Sequence, residues 1–245
     1  MTEAVVLGAA DLHTHTTRSD GMASPAALVE WAEVRAGVDV LAVTDHEDLR
    51  GGWEAQEAAA RLGARIDVIA GMEITTRSGH LIALFLEHPV PSFRSLAYTL
   101  AAVHAQGGLC LVPHPLCPIP YSLGRRAIDR HARDHETEQL DAVELASSAP
   151  VARWTRGRAR RLNSQRWHLP EYGGSDAHFV EAVGSAVTRF PGRRAADLRE
   201  ALRVGLTIAE KRQAPSLRRI GARALARQQM RAALATPRNA LRRTS

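Results

Sequence analysis

Short apolar runs separated by longer stretches of helical period set the rhythm of this chain. The runs are Val5–Leu7 continued by Asp11–His15, Val38–Thr44, Val68–Glu73, Leu81–Leu86, Leu109–Pro113, Val143–Ala146 and Tyr172–Asp176. Each has the length of a strand, and the intervals between most of them carry apolar residues three and four apart. Ser24-Pro25 opens a helix that stops at Gly37, with Leu28, Val29, Ala32 and Ala36 on one face. Ser92 and Gly107 bracket another, through Phe93, Leu96, Leu100 and Val103, in the usual cap-and-stop arrangement. Further helices are expected over 51–62, 122–138, 151–167 and 195–204. This alternation predicts an α/β fold with parallel strands, and seven strands with about as many helices fit a (β/α) barrel better than an open sheet.

Composition adds little beyond confirming an ordinary globular chain. The 245 residues are 45% hydrophobic and 24% charged, enough to bury one sizeable core without disulfide staples. Only Cys110 and Cys117 are present, so a reducing, cytoplasmic setting is expected. No run reaches the ~18 apolar residues of a bilayer span, and Met1–Ala10 lacks the basic-then-apolar order of a secretory signal. The net charge of +6 is unevenly spread: ten of the 32 basic residues lie in 211–245, which has no acidic residue. Residues 1–210 therefore hold 22 basic against 26 acidic residues, an acidic body with a basic tail.

Chemistry concentrates where the apolar runs end, the place where the loops of a barrel build its active site. His13 and His15 follow the first run and, two apart, point the same way on an extended chain. Asp20 lies in the Ser19-Asp20-Gly21 turn. Later runs end in Thr44-Asp45-His46, Gly71-Met72-Glu73, Val112-Pro113-His114-Pro115 and Gly174-Ser175-Asp176-Ala177-His178, while Gly79-His80 opens the fourth. A single strand-end histidine is commonly structural. Five runs that each end in His, Asp or Glu would bury costly polar groups on one rim, and a shared cation supplies the common cause. Imidazole with carboxylate suits zinc, manganese or iron, and nine donors exceed the needs of one or two tetrahedral ions, so two or three divalent ions are expected.

These motifs, in this order, resemble those of the PHP (polymerase and histidinol phosphatase) family, over residues 11 to about 210. The resemblance implies a distorted seven-stranded (β/α)7 TIM-like barrel, here with a short C-terminal helical extension, and a trinuclear metal centre that hydrolyses phosphoesters. It also implies a ligand set: His13, His15, Glu73 and Asp176 on one ion, Glu73 bridging to a second with His80 and His114, and Asp20, His46 and His178 on a third. Glu73, Asp176 and His178 thereby become catalytic candidates, through attack of a metal-bound hydroxide on phosphorus. The expected division is a PHP phosphoesterase barrel over 1–210 and a basic, helical tail over 211–245 with a disordered end.

Other residues are read more plainly. Arg18 is the candidate phosphate clamp, since a guanidinium fork matches phosphate, with Arg77, Arg125 and Arg126 as rivals. Asp11 and Asp45 could each orient an imidazole or simply be solvated. His88, His104, His131, His135 and His168 and both cysteines are read as ordinary, and 125–138 as a solvated helix face. In the tail, Arg219, Arg223, Arg227 and Arg231 recur every four residues along a helix over 216–235, with Pro237 as its stop. That helix docks on the acidic body, meets nucleic acid or an anionic membrane, or stays disordered. The leading expectation is a phosphoesterase acting on a small phosphorylated molecule, a nucleotide or an oligonucleotide end. Alternatives are a nucleic-acid-binding relative with little turnover and an amidohydrolase-type hydrolase. The carboxylated-lysine form of the latter is excluded, because the one lysine, Lys211, lies outside the predicted barrel.

Overall fold

The computed structural model describes residues 6–118, 121–132, 138–149, 152–215 and 220–241. Its strands are β1 (Leu7–Asp11), β2 (Val40–Val43), β3 (Asp67–Thr76), β4 (Gly79–Leu84), β5 (Leu109–Val112), β6 (Ala142–Ser147), β7 (Glu171–Gly174), β8 (Ala186–Pro191) and β9 (Ile208–Lys211). The helices are α1 (Pro25–Trp31), α2 (Arg50–Leu62), α3 (Leu96–His104), α4 (Arg125–His131), α5 (Ala152–Leu162), α6 (Ala195–Arg203) and α7 (Ala222–Leu241). One sheet runs in the order β7-β6-β5-β4-β3-β2-β1-β8-β9 and curls into a nearly closed barrel. Among the described residues, no helix is long and apolar enough to cross a membrane.

Two expectations need correction. The sheet has nine strands rather than seven, because β8 and β9 follow the last predicted run and pair antiparallel on the far side of β1. Nor are all strands parallel: β4 is antiparallel to both β3 and β5. The cause is local. Only Arg77 and Ser78 separate β3 from β4, a link far too short for the crossover that parallel strands need. Helix starts differ less. Ser95, not Ser92, caps α3 by accepting from Tyr98 N, whereas Ser92 donates to Glu47. α4 stops at His131, and the predicted remainder through 138 falls partly outside the described residues. α1 and α5 each finish in a turn of π-helix, Ala32–Ala36 and Asn163–Trp167. Past Gly221, α7 continues through Pro237 to Leu241.

The strands place apolar and polar chemistry at different heights. Along β3, Ile69 joins the inner core with Val40, Ile82, Leu111 and Phe190, while Ala70, Met72 and Ile74 pack outward. Strand alternation then puts Gly71 and Glu73 on the inner side above Ile69. β4 repeats the pattern, with Ile82 and Leu84 inside and His80 above them. α6 closes the lower end with Leu198, Ala201 and Leu202.

Closure brings β7 against β8 and β1. Gly173 N donates to Thr188 Oγ1 at 2.9 Å, and a Cβ on Gly173 would lie 2.3 Å from the Val187 carbonyl oxygen. Above the strands the chain continues in parallel register: His15 N donates to Ala177 O at 2.9 Å and Ala177 N to His13 O at 3.3 Å. The two polar motifs at the start and end of the barrel are therefore laced together at its rim. Gly173→Ala forces backbone apart at this seam and should cost about 1–3 kcal/mol, read as a lower thermal or urea midpoint. A variant as stable as the parent would show that the seam tolerates slack.

Candidate metal centre

All nine donors singled out from the sequence converge at the rim of the barrel, and most of them are buried. Glu73 is the hub. Its Oε2 lies 3.2 Å from His13 Nε2, 3.3 Å from His15 Nε2 and 3.5 Å from His46 Nδ1. Its Oε1 lies 2.9 Å from His80 Nδ1 and 3.1 Å from His114 Nε2. Asp176 Oδ1 meets the Nε2 atoms of His13 and His15 as well, at 3.4 Å and 3.3 Å. Asp20 serves the third group, with Oδ2 3.0 Å from His178 Nε2 and Oδ1 3.9 Å from His46 Nε2.

The donors fall into groups of metal-site spacing: His13, His15 and Asp176; His13, Glu73 and His114; His46, Glu73 and His80; and His15, Asp20, His46 and His178. Separations of 3.2–3.4 Å are those of neighbouring donors around an ion with bonds of about 2.0–2.2 Å. Two further observations fit a divalent cation. Nδ1 of the buried His15 has no hydrogen-bond partner, and buried polar atoms rarely go unserved. The set is also purely imidazole and carboxylate, the mixture that zinc, manganese and iron accept.

The electrostatics are strongly coupled. Burial would raise the Glu73 carboxyl, but the rings of His46, His80 and His13 hold it well below the usual carboxylate range. Asp176 is likewise held well below, against burial, by His13 and His15. Burial disfavours a charged His178, yet the Asp20 and Asp176 carboxylates lift its pKa to about 10. His13 is also raised, against burial, by Asp176 and Glu73, while burial lowers His46 to about 4. The carboxylates are thus ionised throughout the neutral range.

Backbone and buried carboxylates hold this arrangement in place. Asp176 adopts a left-handed backbone (φ 55°), which aspartate tolerates and which turns its side chain toward the rim. Asp11 and Asp45 neither orient a ring nor meet solvent. Asp11 accepts from Ser175 N at 2.9 Å and Gly184 N at 2.8 Å, pinning the closure seam. Asp45 accepts from Thr16 N at 2.7 Å and from Ser19 N at 3.1 Å, shaping the loop that presents Asp20. Burial raises both carboxyls, Asp11 to about 6. Arg18 is held by Glu54 on α2, with Nε 2.9 Å from Oε2. Of its rivals, Arg77 donates to Phe93 O, Arg125 pairs with Asp129 and Arg126 is exposed. His104 binds Asp141 and His131 the Glu138 carbonyl, both away from the rim, while His135 lies outside the described residues.

The sequence reading overlooked Glu144. Its Oε1 is 3.2 Å from His13 Nδ1 and its Oε2 accepts from His114 N at 2.8 Å, with the side chain fully buried. The signal was available: a carboxylate in the middle of the apolar run Val143–Ala146. Ser122 Oγ, 2.6 Å from His114 Nδ1, had no comparable signature.

Known proteins share both sequence and shape with this chain. Residues 11–145 match the family described as PHP domain, and 155–207 the one described as PHP-associated. An uncharacterised protein of Methanocaldococcus jannaschii is 36% identical over 147 residues, covering 56% of this chain and 80% of the relative. A 5'-3' exoribonuclease of Haemophilus influenzae is 39% identical over 97 residues, 38% of this chain, which spans only 34% of that enzyme. In shape, a two-domain protein of Bacteroides vulgatus, described as containing a predicted PHP-like metal-dependent phosphoesterase, superposes with a TM-score of 0.69 at 21% identity. It covers 94% of this chain and 71% of its own. Matched over more than half its length, this chain belongs to the PHP domain family.

Proposed function

We propose that this protein is a metal-dependent phosphoesterase that hydrolyses the phosphate ester of a small molecule, with a nucleotide or an oligonucleotide end as the preferred class. The observation that carries the reading is the Glu73 carboxylate, whose Oε2 faces His13, His15 and His46 while its Oε1 faces His80 and His114. His13, His15, Glu73 and Asp176 would hold one ion; Glu73, His80 and His114 a second; Asp20, His46 and His178 a third. Ions of this kind lower the pKa of water and neutralise phosphoryl oxygens, which is what hydrolysis of a phosphate ester needs. Manganese, zinc and iron all suit the donor set.

The chain's own residues supply the geometry. Glu73 and Asp176 both meet the Nε2 atoms of His13 and His15. Asp176 and His178 keep 12% and 19% side-chain exposure, more than Glu73 or His13, so the phosphate approaches from their side. Glu144 holds His13 Nδ1 and thereby sets the direction of its Nε2. Arg18 is the candidate clamp, and a substrate phosphate must compete with Glu54 for its fork. The nucleotide preference draws on the exoribonuclease relative, of which this chain spans about a third.

Chelation, or His13→Ala, should abolish hydrolysis in a panel of mononucleotides, bisphosphorylated nucleotides, sugar phosphates and short RNA. Turnover that survives both contradicts the reading, and salt-sensitive RNA binding without turnover supports the non-catalytic alternative. Ion uptake should also release protons. His178 keeps its proton up to about pH 10, so an ion binds there only as that proton leaves. Affinity should therefore rise with pH through the neutral range, and calorimetric heats should vary with the ionisation enthalpy of the buffer. Heats independent of buffer and pH would contradict displacement of this proton.

A further inference from the structure

The basic tail reaches the metal centre. In α7, Ala224, Leu225, Gln228, Arg231 and Ala232 are less exposed than Arg223, Arg227, Gln229 and Met230, a three-and-four spacing that defines one docked face. The most buried of these is Gln228, at 6% exposure. A glutamine amide is costly to bury unless paired, and this one is paired in the site: Nε2 donates to Asp20 Oδ2 at 3.3 Å, while Oε1 accepts from Gln229 Nε2 at 2.7 Å. Three residues on, Arg231 Nη2 donates to the carbonyls of Thr17 at 2.8 Å and Ser19 at 3.1 Å. The helix thus grips both the backbone and the side chain of the loop that carries Asp20.

From this geometry, and resting on the divalent-cation reading above, we propose that α7 completes the metal centre, with Gln228 as a positioning residue for Asp20. The chemistry of the contact is specific. A neutral N–H fixes the rotation of a carboxylate without cancelling its charge, whereas a lysine or arginine there would compete with a cation. With Oδ2 held by Gln228 and His178, Oδ1 is turned toward His15 Nδ1 at 3.8 Å and His46 Nε2 at 3.9 Å. The positive charge of Arg231 is directed to backbone carbonyls instead of to Asp20. Asp20 is left only 2% exposed, while His46 and His178 keep 13% and 19% side-chain exposure, so the helix covers one flank of the site and leaves the substrate side open.

The test is Mn²⁺ titration of the chelator-stripped full chain by calorimetry, with thermal midpoints measured in parallel. Gln228→Leu keeps the bulk and removes the donor. One class of site should weaken about 10- to 100-fold, or vanish from the stoichiometry, while the others and the midpoint of the ion-free protein hold. Arg231→Met should weaken the same class, and the exposed Met230→Ala should match the parent. Should Gln228→Leu not fold, Arg231→Met carries the comparison alone. Folded variants with the parent's isotherm would overturn the proposal, as would uniform weakening of every site together with a lowered midpoint. A parent chain that binds no Mn²⁺ would overturn this inference and the cation reading together. A parent that binds while the variants match it overturns this inference alone.

Discussion

A carboxylate with about one hundredth of its surface in water, facing five imidazoles, is the constraint around which this protein is arranged. Burying an ionised Glu73 alone would be prohibitive, and burying five rings without partners would cost almost as much. Together they are tolerable, because the rings hold the carboxyl ionised and Asp176 and Asp20 complete the charge balance. Removing one member leaves its partners exposed to the full desolvation penalty. A divalent ion satisfies the same groups with stronger bonds and no protons.

The barrel exists to make that cluster possible. Its inner face is apolar through Ile69, Ile82, Leu111 and Phe190 and turns polar only at the rim, so the costly groups share one small volume above a dry core. Donors from six separate strand ends must reach it, and this depends on closure. Glycine at 173 lets β7 approach β8, and the paired backbone at His13, His15 and Ala177 joins the first motif to the last. Asp11 and Asp45 spend their charge on backbone amides of that seam and of the Asp20 loop, converting buried carboxylates into fasteners.

Much of this was legible in the sequence, for physical reasons that differ by element. The seven predicted strands were visible because buried strands need uninterrupted apolar runs, and the nine donors because polar residues recur at the ends of so many of those runs. β8 and β9 were hidden. β8 (Ala186–Pro191) carries an arginine, and β9 (Ile208–Lys211) is short, half-exposed and ends in charge, so neither has a core strand's signature. The antiparallel β4 escaped because apolar runs carry no direction, although its two-residue link to β3 did. Glu144 was passed over for lying within a run and not at its end. Gln228 could not be found at all, since its partner Asp20 is 208 residues away and nothing local marks a buried amide.

The central claim is that these side chains bind divalent cations through a shared Glu73. It is tested most directly by elemental analysis of the purified chain after equilibration with Mn²⁺ and removal of free ion, beside Glu73→Gln. The account predicts two or three ions per parent chain and a clear loss in the variant, whose amide cannot serve two groups at once. A parent chain without bound metal, or a variant that retains the full complement, would contradict it.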